Sequence, residues 1–220
     1  MSSNLQFKQP LNNVLVTGTA VLAVSLEEAK TYLKIPVSFT QDDALITSII
    51  NSSTTFFERI TGRDLISKTY KTYLDNFPAI DLTYKLVGLT PISLSYVDNG
   101  IIISKSKLQS ITSIQYYSSG VLTVWDVINY YFTDDVDYSG IYLVKDKKFP
   151  EVDERKQSVV IEFVSGYGAD ATTIPNDIKE ALLQVIAYLY NNRGDCECSE
   201  GLPVMAKNLF YSYIIIDHVL

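Results

Sequence analysis

The chain has one histidine, His218, and two cysteines, Cys196 and Cys198, among its 220 residues. An imidazole so near the end of the sequence is badly placed to shuttle a proton, because chain ends are rarely held in register. This argues against Ser-His-Asp and Cys-His mechanisms. The C-x-C spacing is neither a disulfide framework nor a four-ligand zinc pattern, and reads as two free thiols in a reducing cytoplasm. The G-x-S-x-G, G-x-x-x-x-G-K-[ST] and H-E-x-x-H motifs are missing, and Gly166-Tyr167-Gly168 is too short for a dinucleotide fingerprint. Positive charge is scarce: 18 Lys and Arg stand against 25 Asp and Glu, a net charge of −7. That balance disfavours non-specific capture of nucleic acid, which needs clustered cations. The densest basic run, Lys145 to Lys148, is interrupted by Asp146. No run reaches the about 18 apolar residues of a membrane span. The apolar stretch "VLVTGTAVLAV" at 14–24 is broken by Thr17-Gly18-Thr19 and reads as a strand and turn rather than a secretory segment.

What the chain does have is apolar pattern, at 47% hydrophobic residues, enough for a substantial core. "SLEEAKTYLKI" starts with a capping box, Ser25 and Glu28, and Leu26, Ala29, Tyr32 and Leu33 share one face before Pro36 stops the helix. "TQDDALITSIINSSTTFFERITGR" predicts a second helix capped by Thr40. Its stripe is Leu45, Ile46, Ile49, Ile50, Ser53, Phe56, Phe57 and Ile60, and Gly62 is its stop. From about 67 to 166 the period changes to two, predicting six to eight short strands. "ISLSYV" alternates, Asp98-Asn99-Gly100 signals a turn, and Ser118-Ser119-Gly120 reads as a three-residue hairpin loop. Helical spacing returns after Pro175: Ile178, Ala181, Leu182, Val185, Ile186 and Leu189 form a stripe that ends at Arg193 and Gly194. "LPVMAKNLFYSY" predicts one more short helix. The expected fold is α+β: a helical bundle formed by the N- and C-terminal parts, with an inserted β-rich domain. The expected boundaries are 1–66 for the N-terminal arm and helices, 67–166 for the β-rich insertion, and 167–220 for the long central helix, closing segment and tail.

Few residues invite chemistry. Asp135, Asp137, Ser139, Gly140 and Asp146 fall at calcium-loop spacing, but the twelfth position is Asp rather than Glu and the flanks look like strand and turn, so an acidic turn is the expectation. Arg193-Gly194-Asp195 spells an adhesion tripeptide but is explained as a helix end. No two carboxylates stand out as a glycosidase pair. No catalytic, cofactor or metal residues are therefore assigned, and no enzyme activity is expected. The 16 tyrosines suit both strands and protein interfaces. The apolar end of the chain, Leu209, Phe210, Tyr211, Tyr213, Ile214, Ile215 and Ile216, has no evident use within a monomer and is expected to dock on another protein or subunit.

Several segments together resemble a known family. "VSLEEAKTYLKI", the acidic "QDDALITSII" and "ERITGRDL" resemble the N-terminal signature of tailed-phage head–tail connector proteins, also called adaptor or head-completion proteins. "LQSITSIQYYSSGVLTVWDVINYYF" is similar to the β-rich insertion of some members. "VVIEFVSGYGADATTIPNDIKEALLQVIAYLYNNRGD" is similar to their strand, Gly-Tyr-Gly turn and proline-started helix, and "LPVMAKNLFYSY" to their closing segment. The likeness covers most of residues 24–213. It implies a virion protein of the phage neck, made in the host cytoplasm and assembled as a homo-oligomeric ring of about twelve copies. The implied partners are the portal protein and the next neck or tail protein. DNA passes through the channel in genome packaging and ejection without sequence-specific binding, and no membrane is involved. The acidic balance suits a lining that repels phosphate. The residues also admit a β-rich carbohydrate- or receptor-binding virion module, in which exposed aromatics stack on sugar rings.

Overall fold

The computed structural model describes residues 12–18, 20–78, 100–105, 107–134, 139–193 and 202–215. Its fold is mixed α and β, with two separate apolar cores. The described helices are α1 (Leu26–Tyr32), α2 (Asp43–Thr61), α3 (Asn176–Asn191) and α4 (Val204–Ser212).

The local signals explain most of these elements. The Ser25 hydroxyl accepts from the Glu28 N–H at 3.1 Å, and Glu28 Oε2 accepts from the Ser25 N–H at 2.8 Å, so the capping box closes. α1 ends at Tyr32, earlier than Pro36 requires, with Lys34 in a left-handed conformation (φ 58°). α2 begins after Asp42 rather than Thr40: the Thr40 carbonyl accepts from the Asp43 N–H, and no side chain caps the helix. Gly62, at φ 74°, ends α2 as expected. Ile46, Ile50, Ser53 and Phe57 of the stripe are buried, whereas Leu45 is exposed. α3 follows Pro175 and buries Ile178, Ala181, Leu182, Val185 and Ile186, but Leu189 lies outside the buried stripe and the helix ends at Asn191. These faces meet those of α1 and α4 to form the helical core, which also takes in Leu65, Ile66 and Ile174.

Eight strands are described: β1 (Asn12–Thr17), β2 (Lys68–Leu74), β3 (Gly100–Ile103), β4 (Leu108–Ser118), β5 (Val121–Val124), β6 (Tyr130–Asp134), β7 (Ser139–Leu143) and β8 (Val159–Ser165). They form a five-stranded sheet, β1-β2-β8-β4-β5, and a three-stranded sheet, β3-β7-β6, with every pairing antiparallel. β2 and β8 alternate buried and half-buried residues, as a strand with one face on a core should. Residues from both sheets share the second core: Tyr70, Ile101, Ile103, Ile114, Trp125, Tyr130, Ile141, Ile161 and Phe163. Phe77 stacks on Phe149 at 4.9 Å and lies 5.3 Å from Trp125, which closes one end.

Two details differ from the sequence reading. β1 precedes the helices yet pairs with β2, so residues 12–17 lie in the sheet and not among the helices. The β4–β5 loop has two residues rather than three: Ser118 pairs with Val121, and Ser119 (φ 53°) and Gly120 (φ 77°) are both left-handed. That is the hairpin turn whose twist matches its strands. "ISLSYV" and Asp98-Asn99 lie outside the described residues.

Candidate assembly surfaces

The region where α2 passes into β2 holds the densest set of buried polar contacts. The sequence here is "ERITGRDLISK". Glu58, in the last turn of α2, accepts the Leu65 N–H at 3.0 Å and forms an ion pair with Lys68. Asp64, only 1% exposed, accepts from the Tyr70 hydroxyl at 2.8 Å and from Lys105 at 3.2 Å, with Lys68 at 3.5 Å. A carboxylate so buried persists because cations and donors surround it. Burial, and next the negative Asp64, push the Tyr70 hydroxyl's pKa up, so it stays a donor. The Ser67 N–H donates to the Gly168 carbonyl at 2.8 Å, tying this turn to the segment that leads into α3. These contacts join the end of α2 to β2 and to the segment that leads into α3. The sequence reading missed them, although opposite charges crowded around a helix-ending glycine were a signal.

The chain end folds onto the same region. Phe210 is buried and meets Phe57 edge-on at 5.0 Å. Leu209 and Tyr213 pack against the helical core. The Tyr213 hydroxyl donates to Asp177 at 2.6 Å, and burial followed by that bond raises its pKa. Arg63 Nε donates to the Tyr213 carbonyl at 2.6 Å, and the Ile215 N–H to the Thr61 carbonyl at 3.0 Å. The Ile215 side chain covers Gly62, where an added Cβ would sit 3.2 Å from it. The expectation that this run has no use within one chain is therefore corrected: Leu209, Phe210, Tyr213 and Ile215 complete the molecule's own helical core and junction. Ile214 is half-buried, and Tyr211, Val204 and Met205 are exposed along α4. Ile216 lies outside the described residues.

Most of the residues weighed for chemistry, namely His218, Cys196, Cys198, Gly194, Asp195, Asp135 and Asp137, lie outside the described residues. Ser139 donates to Asp134 at 2.8 Å, and Gly140 sits in β7 against the Tyr142 ring. Asp146 occupies a turn at φ 65°. Among the described residues, no group of three His, Cys, Asp or Glu is placed to hold a metal ion, and no helix is long and apolar enough to cross a membrane. An open groove of about 410 Å³ between α1 and α3 is lined by Ser25, Glu27, Glu28, Thr31, Tyr32 and Leu183. Its tyrosine donates to Glu180 at 3.2 Å, and Glu28 lies 3.7 Å from the Lys179 ammonium. The tyrosines divide: Tyr70 and Tyr130 are core, whereas Tyr131 is exposed and lies 5.7 Å from Tyr142.

Residues 23–120 match the phage gp6-like head-tail connector protein family, a stretch that contains α1, α2, the Gly62-Arg63-Asp64 junction and strands β2, β3 and β4. Over that stretch the chain is similar to the head–tail connectors, the family that the sequence resemblance implied. The whole fold is similar to a chain from the neck of an empty gene transfer agent (GTA) particle with C6 symmetry, at 18% identity and TM-score 0.72, covering 93% of this chain and 96% of that one. It is also similar to a chain of the native gene transfer agent virion, at 18% identity and TM-score 0.69, covering 93% and 95%. A third similar chain comes from the native GTA neck with C12 symmetry, at 20% identity and TM-score 0.66, covering 94% and 95%. At such identities the likeness defines the fold. No curated protein matches the chain.

Proposed function

We propose that this protein is a structural head–tail connector of a virion neck: a non-enzymatic subunit that joins copies of itself into a ring beneath the portal, through which DNA passes. The observation that carries the reading is the connector-family match over 23–120, supported by a fold likeness spanning 93% of the chain to a protein in a symmetric neck. The net charge of −7 suits a channel that lets a duplex slide rather than grips it. The partners in this reading are other copies of the chain, the portal and the next neck or tail protein. The division into helices at 1–66 and 167–220 around a β unit at 67–166 belongs to the same proposal, with β1 returned to the sheet.

The portal contact is narrower than the chain-end run. Phe210 is occupied within the chain, so docking falls to the exposed residues of α4: Val204, Met205 and Tyr211, at 72%, 67% and 52% exposed. Deleting residues 209–220 is a poor test, because it removes Phe210 from the core. Replacing Val204, Met205 and Tyr211 together by serine should leave the unfolding transition in place and weaken attachment to portal-bearing heads. Undiminished attachment of a folded triple variant would remove α4 from the contact. Glycan binding by the full chain would instead favour the carbohydrate-binding module.

A further inference from the structure

Among the described residues no strand pairs with the outer edge of β1 or of β5, the two ends of the five-stranded sheet, and both ends are apolar. At one end, β5 reads Val121-Leu122-Thr123-Val124, with every residue exposed; Val121, Leu122 and Val124 are at 63%, 42% and 62%. Val127 and Ile128, at 66% and 63%, extend the row. At the other end, β1 presents Val14, Leu15 and Val16, all exposed. Neither strand contains Lys, Arg, Asp, Glu or Pro, the residues that usually blunt an open edge.

The backbone of β5 is equally available. The Trp125 N–H donates to the Ile114 carbonyl at 2.8 Å, which fixes the phase of the β4–β5 ladder. In an antiparallel ladder, bonded pairs alternate with unbonded ones. Leu122 and Val124, opposite Tyr117 and Gln115, are therefore at unbonded positions and turn their N–H and C=O groups away from β4. The edge is also held firmly. The Asp153 carboxylate accepts from the Ser119 and Gly120 N–H groups, each at 2.8 Å, and clamps the turn. The Arg155 guanidinium lies 3.9 Å over the Tyr117 ring. A strand that buries none of its own side chains, yet is clamped at its tip, presents an edge ready for pairing.

Strand direction selects the partner. In an antiparallel sheet of five, ordered β1-β2-β8-β4-β5, the first and last strands run the same way. Pairing two β5 edges by a twofold leaves both β1 edges open. A head-to-tail contact between unlike edges satisfies both ends of every copy and repeats around a ring. We propose that β5 of one copy pairs in parallel with β1 of the next, so that the sheet continues around the assembly by strand addition. This rests on the ring reading above, and adds which surfaces meet.

The test uses the full chain, alone and on portal-bearing heads, with particle mass as the readout and circular dichroism as the fold control. Leu122→Lys on β5 and Leu15→Glu on β1 each place a charge at an exposed edge position. Each alone should leave the fold intact and weaken self-association at least about tenfold, by burying an unpaired charge. An equimolar mixture of the two variants, or the double variant, should recover assembly, because lysine then meets glutamate across the contact. Wild-type rings that tolerate both single substitutions overturn the pairing and leave the ring reading standing. Loss in both single variants without recovery in the double overturns it, as does a β5 variant that fails while Leu15→Glu assembles normally. A wild-type chain that forms no ring, alone or on portal-bearing heads, removes the ring reading and this proposal together.

Discussion

Phe210 and Val124 both stand in short apolar stretches, and they meet opposite fates. Phe210 is 1% exposed against Phe57, some 150 positions earlier in the sequence, whereas Val124 is 62% exposed on an open strand. The closing helix is apolar because the helical core needs a lid. The β4–β5 hairpin is apolar at an edge that the described residues leave uncovered. Local pattern identifies a face that avoids water, and only the fold decides whether that face is satisfied from within or waits for a neighbour.

This contrast breaks most sharply at Phe210. Phe210→Ala should cost about 3–5 kcal/mol in chemical unfolding, the range for removing a buried aromatic. Tyr211→Ala, one residue on and exposed, should stay within about 0.5 kcal/mol. Comparable effects at the two positions would mean that the chain end is not docked as described. Next comes the junction that holds helices and sheet together: Asp64→Ala should cost about 3 kcal/mol in the same measurement, because it strands Tyr70 and two lysines that converge on one buried carboxylate.

Two glycines then separate packing from conformation. At Gly166, φ is 135° and a Cβ would sit 2.8 Å from the Ile66 carbonyl, so Gly166→Ala should cost about 1–3 kcal/mol. Gly120, at φ 77°, has nothing within 4 Å of such a Cβ, so Gly120→Ala should show only the left-handed cost of about 1 kcal/mol. Equal losses would argue that the approach of β8 to the junction is looser than described.

The smallest effect is pH-dependent. Burial favours the neutral form of Glu28, but the Ser25 N–H and hydroxyl and the Lys179 cation outweigh it, so its pKa lies below the ordinary carboxylate range. Its contribution to α1 is therefore present above the unfolded glutamate value of about 4.3 and fades as pH falls through the lower folded value. Amide exchange should show the first turn of α1 opening first in acid, and Glu28→Gln should remove that dependence.

Much of the helical unit was legible in the sequence, because a helix declares its buried face by spacing and its ends by caps. Ser25 with Glu28, Gly62 after α2 and Pro175 before α3 all act locally. What stayed hidden depends on distant partners. β1 is short, and its register against β2 is set more than fifty residues away, so nothing local marks it as part of the sheet. Lys30, which the sequence reading passed over, is 2% exposed, held by Asp43 at 2.5 Å and by the Val37 carbonyl at 3.0 Å. The apolar chain end looked spare because its receptors, Phe57, Gly62 and Arg63, lie across the length of the chain. The resemblance to head–tail connectors was legible as an order of motifs; the junction they build was not, because Lys105 and Tyr213 join it from other elements.

The most direct test of the account is the mass of what the purified full-length chain forms on portal-bearing heads. A closed ring of many copies on each portal is the predicted result. A single copy per head, or no binding by a folded chain, would contradict it.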